Sequence, residues 1–394
     1  MAKKTDKPNE TTTSLLDSQV RLRVNRQDLS GVMGHMQKIG GGSGTLPALH
    51  NVYLEATPDG LVIMRTNLES TLRMFVPCQP PAQPWRAMVD ARILGDFLRE
   101  LAAEEVELVL GETAVLVDAG KLRGTIRGGN PDDYPRLGAD EGDPLAEMDA
   151  GDLGRLLESV CYAANAANTS DAGGPVQMGV HLVWHDGQVV ATATDGLRLA
   201  RRKMACRTRQ TLPVEQIVPA AALRRLAGFL RGARSDQPVV ITANMHHIYF
   251  NWGQGLLIIT QAKGKYPAVD GVIPANYAVQ VVVNRAALER AQRLAAPFTD
   301  GDANGIALAL DGGEMVISST EPQTGDQATR VPAAATGDAP LKVLLHARFL
   351  KDAIAAMGTN EITLGANLPQ QPVGVWAHGT DEGFGLIMPM YRGE

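Results

Sequence analysis

Three times along its 394 residues the chain runs through one plan: an alternating strand, an amphipathic helix and a hairpin, then strand, helix and hairpins again. Internal repetition on this scale decides the fold before any local motif is weighed. The opening strands are Val20-Leu22-Val24 and Val279-Val281-Val283, alternating with period two, and Pro144 to Met148, where the pattern is weaker. The helices that follow carry apolar residues at helical spacing: Leu29-Met33-Met36, then Leu153-Leu156-Leu157-Val160, then Leu288-Ala291-Ala295. Glycine turns at Asp59-Gly60, Asp186-Gly187 and Asp311-Gly312 mark the hairpins. The second helix of each copy is marked by Val89, Ile93, Leu94, Phe97 and Leu98, by Val218, Leu223, Leu226 and Leu230, and by Leu345, Phe349, Leu350 and Ile354. Leu94, Leu223 and Leu350 recur at nearly equal intervals. Tyr134-Pro135 and Tyr266-Pro267 close the first two copies, and the apolar strand Leu386-Ile387-Met388 closes the third.

These signals predict an α+β fold of three tandem domains, 20–143, 144–275 and 276–394, behind a disordered tail over 1–19. Each domain has two helices and roughly eight short strands, mostly antiparallel because the links are hairpin-sized. Tandem domains of this kind can build an elongated scaffold or close into a ring.

Composition narrows the function. A hydrophobic content of 44% with 20% charged residues belongs to a soluble globular protein. No eighteen-residue apolar run and no signal-peptide pattern occurs, which predicts a cytoplasmic location. The net charge of −6 excludes a uniformly basic nucleic-acid binder, so any DNA contact requires positive charge segregated onto one surface. Cys78, Cys161 and Cys206 are too widely spaced for a disulfide framework or a metal knuckle. Gly40 to Gly44 lacks the Gly-Lys-Ser/Thr of a phosphate-binding loop. His246 and His247, adjacent on an alternating segment, point to opposite faces and make a poor metal pair. Asp195 is explained by its turn with Gly196. No catalytic constellation, metal site or cofactor is expected.

Four segments occur in order: Thr45-Leu46-Pro47-Ala48-Leu49-His50-Asn51-Val52, Ala193 to Ala200, Lys265-Tyr266-Pro267 with Val272-Ile273-Pro274, and Leu386-Ile387-Met388-Pro389-Met390. Together they resemble the bacterial sliding-clamp family, the DNA polymerase III β subunits, over Val20 to Arg392. The resemblance implies a head-to-tail homodimer closed into a ring, with helices inside, sheets outside and duplex DNA through the hole. It implies a processivity factor rather than an enzyme. Partners would be double-stranded DNA read without sequence preference, a replicative DNA polymerase, a clamp loader and other proteins with clamp-binding motifs, at the nucleoid. The alternative is a clamp-like, non-replicative interaction scaffold with weak DNA contact.

Residue by residue, the resemblance places partner peptides in a groove lined by Thr194, Gly196, Leu197, Arg198, Leu199, Pro267, Val272, Leu386, Met388, Pro389 and Met390, with Gln177 and Pro372 at its rim. Polar helix positions nominate Lys38, Arg92, Arg224, Arg225, Arg231, Arg293 and Lys351 as phosphate contacts. Arg224 and Arg231 lie opposite the Leu223/Leu226/Leu230 face of their helix. The dimer interface is expected where the strand Lys121 to Arg127, with Leu122, Gly124 and Ile126, meets Leu294 to Ile306 of a second copy. The family pattern is broken at three places: Gly40 to Gly44 replaces an Arg before Thr45, Leu197 replaces a polar residue, and Gly271 stands where an Arg is common.

Overall fold

A computed structural model describes residues 20–40, 46–81, 83–135, 142–165, 174, 176–208, 210–299, 304–337 and 340–390. The N-terminal tail, Gly41 to Thr45 and Tyr391 to Glu394 lie outside the described residues. The chain divides into two compact units, one holding residues up to Pro144 with Gln237–Thr260, the other Leu145–Asp236 with the residues from Gln261 onward.

The same local event recurs six times among the described residues: a strand ends and the next residue begins a helix. The helices are α1 (Arg26–Ile39), α2 (Ala91–Glu100), α3 (Ala150–Val160), α4 (Ala220–Leu230), α5 (Arg285–Ala295) and α6 (Ala347–Ala355). Asn25, Asp90, Asn284 and His346 terminate their strands and accept backbone N–H groups of the first turn, the Asn and Asp caps each contributing about 0.5–2 kcal/mol. Asp149 and Pro219 precede α3 and α4 without a side-chain cap. The helices pack in consecutive pairs, α1 with α2, α3 with α4 and α5 with α6.

Cap position also sets helix phase, and here the sequence reading needs correction. Val89, Val218 and Leu345 lie in the strands before their helices rather than within them. Counting from the Asp90 cap, α2 buries Ala91, Leu94, Gly95 and Leu98, which turns Ile93 outward to 47% exposure.

All register pairs are antiparallel. In the first unit the strand order runs Val20–Asn25, Glu105–Leu110, Ala114–Asp118, Arg123–Gly129, Trp85–Asp90, Asn51–Thr57, Gly60–Thr66, Ser70–Val76, Gly255–Thr260, His247–Asn251, Pro238–Ala243. Gly255–Thr260 pairs with Ser70–Val76, so the last three strands of the second sequence repeat extend the sheet of the first. The second unit runs Val214–Pro219, Gly179–His185, Gln188–Thr194, Arg198–Ala205, Gly383–Ile387, Val373–Ala377, Glu361–Ala366, Val279–Asn284, Gly325–Thr336, Glu314–Glu321, Gly305–Asp311, Lys342–His346. Its decisive pairing joins Arg198–Ala205 to Gly383–Ile387, with Leu199 opposite Leu386.

Candidate functional site

Where these two strands meet, strand alternation sorts residues onto two faces. Leu199, Arg201, Phe384 and Leu386 share one face by register. Leu199 and Leu386, each 3% exposed, pack with Val269, and Ile273 and Phe384 lie against them. The segment carrying Val269 and Ile273 is held by an ion pair from Arg201 to Asp270 at 2.7 Å. It is also held by the ring of Tyr266, stacked at 4.9 Å on His181. Burial pushes the Tyr266 hydroxyl up to about 12.

The turn before Leu199 is built by side chains. Thr194 Oγ1 donates to the Arg198 carbonyl (2.7 Å) and accepts the Gly196 N–H (3.1 Å). Asp195 Oδ1 accepts the N–H groups of Leu197 and Arg198, both at 3.0 Å. Gly196 sits at φ +89°, a conformation that a Cβ would strain. Leu197 is thereby thrust outward, 57% exposed, and its carbonyl accepts the Met388 N–H at 2.8 Å. Met388 (38%) and Val272 (54%) are exposed beside the buried Leu199–Leu386 pair, and Pro267, Pro389 and Met390 are half-buried. The result is a buried apolar cluster with exposed Leu197 and Met388 on the segments that carry Leu199 and Leu386.

Several expectations change. The strand ends at Ile387, so Met388 is a loop residue anchored through its backbone. Arg198 does not line this face: as the neighbour of Leu199 on a strand it points the other way, and it is 7% exposed. Its Nε donates to Asp195 Oδ2 at 2.9 Å and its Nη1 to Asp352 Oδ2 on α6 at 2.7 Å. Its guanidinium lies 4.4 Å from the Phe349 ring centroid and 5.6 Å from that of Tyr162. Gln177 and Pro372, expected at the rim, are half-buried. Val269, Ile273 and Phe384 were missed. The period-two spacing of Phe384 and Leu386 could have found the last of them.

Among the nominated cations, Lys38, Arg92, Arg224, Arg231, Arg293 and Lys351 are exposed on or at the ends of their helices. Arg224 donates to the Cys161 carbonyl, Arg231 pairs with Glu158 at 2.6 Å, and Arg293 lies 3.9 Å from Glu289. Arg225 is a correction: it is half-buried, because the Leu223/Leu226 phase turns it toward the core side.

Each unit also has a strand paired along only part of one side. Arg123 to Arg127 pair with Ala114–Asp118, but only Gly128 and Gly129 reach the strand Trp85–Asp90. Gly325 to Pro332 pair with Glu314–Glu321, and only Ala333 to Thr336 reach Val279–Asn284. Part of the expected interface offers no open edge. The strand holding Ile306 is bonded on both sides and cannot accept another, and Ile126 is buried at 4%. Gly124 backs onto Phe97, where a Cβ would stand 2.7 Å from the ring. Leu122 (56%) and Leu294 (48%) remain exposed.

Family models match along nearly the whole described chain: DNA polymerase III beta subunit, N-terminal domain, at residues 20–138, central domain at 149–268 and C-terminal domain at 270–391. The beta sliding clamp of Pseudomonas putida is 26% identical over 347 residues, covering 88% of this chain and 93% of that protein. That of Staphylococcus epidermidis is 25% identical over 331 residues, covering 81% and 85%. Among solved structures, a sliding clamp from Pseudomonas aeruginosa bound to griselimycin superposes with a TM-score of 0.87 at 24% identity, covering 95% of this chain and all of that one. The Bacillus subtilis clamp gives 0.87 at 20% identity over the same shares. The chain belongs to the DNA polymerase III beta subunit family, the bacterial sliding clamps.

Proposed function

We propose that this DNA polymerase III processivity factor works as a ring of two copies around duplex DNA, built from three domains per chain (20–143, 144–275 and 276–394), and tethers partner proteins through the Leu199–Leu386 groove. The observation that carries the tethering is a preformed apolar floor beside exposed Leu197, Val272 and Met388. Short peptides gain most of their affinity from one or two apolar anchors entering such a surface. Methionine suits a site that accepts several sequences, since its side chain repacks easily. Polymerase, clamp loader and repair proteins bearing such anchors are the partners of this reading.

Lys38, Arg92, Arg224, Arg231, Arg293 and Lys351 contact phosphate. Such contacts are independent of sequence and weaken with salt, which permits sliding, while retention comes from ring topology. No chemical step is asked of the protein. Among the described residues no helix is long and apolar enough to cross a membrane. The relatives are themselves named beta sliding clamps, which disfavours a non-replicative scaffold. After loading onto nicked circular DNA, the protein should be retained through gel filtration and lost when the circle is linearised. Equal loss from both forms would refute encirclement.

A further inference from the structure

We propose that Arg198 is a positioning residue that ties the groove turn to helix α6, so that partner binding depends on Asp352, a residue on the opposite side of the sheet from the groove floor. The proposal rests on the groove reading above and concerns what holds the groove in shape.

Four observations carry it. Arg198 is 7% exposed, and its side chain turns from the face of Leu199 toward Asp352, Phe349 and Tyr162 while also meeting Asp195 in the turn. Its guanidinium bridges two carboxylates, Asp195 in the turn and Asp352 on α6, whose side chains are 13% and 28% exposed. Phe349 and Tyr162 offer aromatic rings to it, which fixes its plane as well as its charge. Asp195 also accepts the Leu197 and Arg198 N–H groups, and Leu197 in turn accepts the Met388 N–H. A single chain of bonds thus runs from α6 through Asp352, Arg198, Asp195 and Leu197 to Met388. Arg348 adds a weaker contact to Asp352 at 3.8 Å, and Lys351 is exposed on the same helix.

A charge pair this buried costs most when one member is removed, because the other is left desolvated. Asp352→Asn would therefore free the Arg198 fork on one side, and the Asp195 turn would lose its link to the helix. The expected result is faster hydrogen exchange at the Leu197, Arg198 and Met388 amides in the full-length protein, with exchange in α4 unchanged. Griselimycin serves as the binding probe. Its dissociation constant should rise about tenfold in Asp352→Asn, chiefly through faster release. Asp352→Glu, which keeps the carboxylate, should recover most of both effects. Arg198→Ala and the double variant Arg198→Ala/Asp352→Asn should bind alike, since the helix carboxylate has no route to the groove without the arginine.

Unchanged amide exchange in Asp352→Asn overturns the proposal whether or not the probe binds. So does a fully additive double variant, which would make Arg198 a direct contact. Failure of griselimycin to bind the wild type, with exchange still accelerated in Asp352→Asn, counts against the groove reading and leaves the positioning chain standing.

Discussion

Leu386 and Met388 lie two residues apart and belong to different parts of the energetics. Leu386→Ala removes buried methyl groups beside Leu199 and Val269 and should destabilise the second unit by about 2–5 kcal/mol. Met388→Ala, at a residue 38% exposed, should cost stability less than about 1 kcal/mol while weakening a groove-bound peptide by about tenfold. Chemical denaturation and peptide titration on both variants separate the two effects. Equal affinity in Met388→Ala would place the partner site elsewhere. The groove was only partly legible in the sequence. The motif around Thr194 to Leu199 was visible, but adjacent strand residues cannot line one face, so naming both Arg198 and Leu199 as lining contained its own error. Asp352 was out of reach, because nothing in a linear sequence says which helix residue a strand arginine meets across a hundred and more intervening positions.

Among the elements, helices were legible in kind and less so in phase. Apolar spacing identifies all six, but the residue at which a helix starts decides which side chains turn inward, so Ile93 came out 47% exposed and Arg225 half-buried. The cap of α6 has a further consequence. His346 Nδ1 accepts the Arg348 N–H at 3.2 Å, which requires that nitrogen unprotonated. Burial holds the imidazole below its ordinary 6.5, with Arg198 and Arg348 adding to the effect and Asp352 opposing it. The unfolded chain then binds the proton more readily than the folded one, so the contribution is fully present above pH 6.5 and is lost as pH falls through 6.5 toward the folded value. His346→Asn keeps a capping acceptor without a titration, and its melting temperature should fall less than that of the wild type between pH 7.5 and pH 5.5. Parallel curves would remove His346 from the acid sensitivity. On α4, reversing Arg224 and Arg231 to Glu leaves the Leu223/Leu226/Leu230 face untouched. The logarithmic salt slope of DNA binding should drop by about one for each arginine–phosphate pair removed. An unchanged slope would mean that these two arginines serve only Cys161 and Glu158.

At the scale of the whole molecule, the threefold plan was the most legible feature, and the open strand edges the least. Both partly paired strands offer backbone edges, and backbone leaves no side-chain signature. Hydrogen bonding identifies which groups are free. Gly128 donates to the Thr113 carbonyl, so by alternation Gly124 and Ile126 bond the same neighbour while the N–H groups of Arg123, Thr125 and Arg127 face the open side. On the other strand Ala333 donates to Gly313, so Asp326, Ala328, Arg330 and Pro332 present their backbone outward. Proline, lacking an N–H, is tolerated on an edge, and Pro332 sits on the open side. Head-to-tail closure would set these two edges against each other twice in a two-copy ring. Thr125→Pro removes one outward donor while leaving the ladder to Ala114–Asp118 intact. With about 0.5–1.5 kcal/mol for each missing bond and two interfaces per ring, dimerisation should weaken by about one to two orders of magnitude. Thr329→Pro is the informative contrast, because its N–H points into the ladder with Glu314–Glu321 and its removal should lower the melting temperature instead. Sedimentation equilibrium across a micromolar concentration series distinguishes the cases. A Thr125→Pro protein that dimerises as tightly as the wild type, or a wild type that stays monomeric throughout, would show that the ring does not close along these edges.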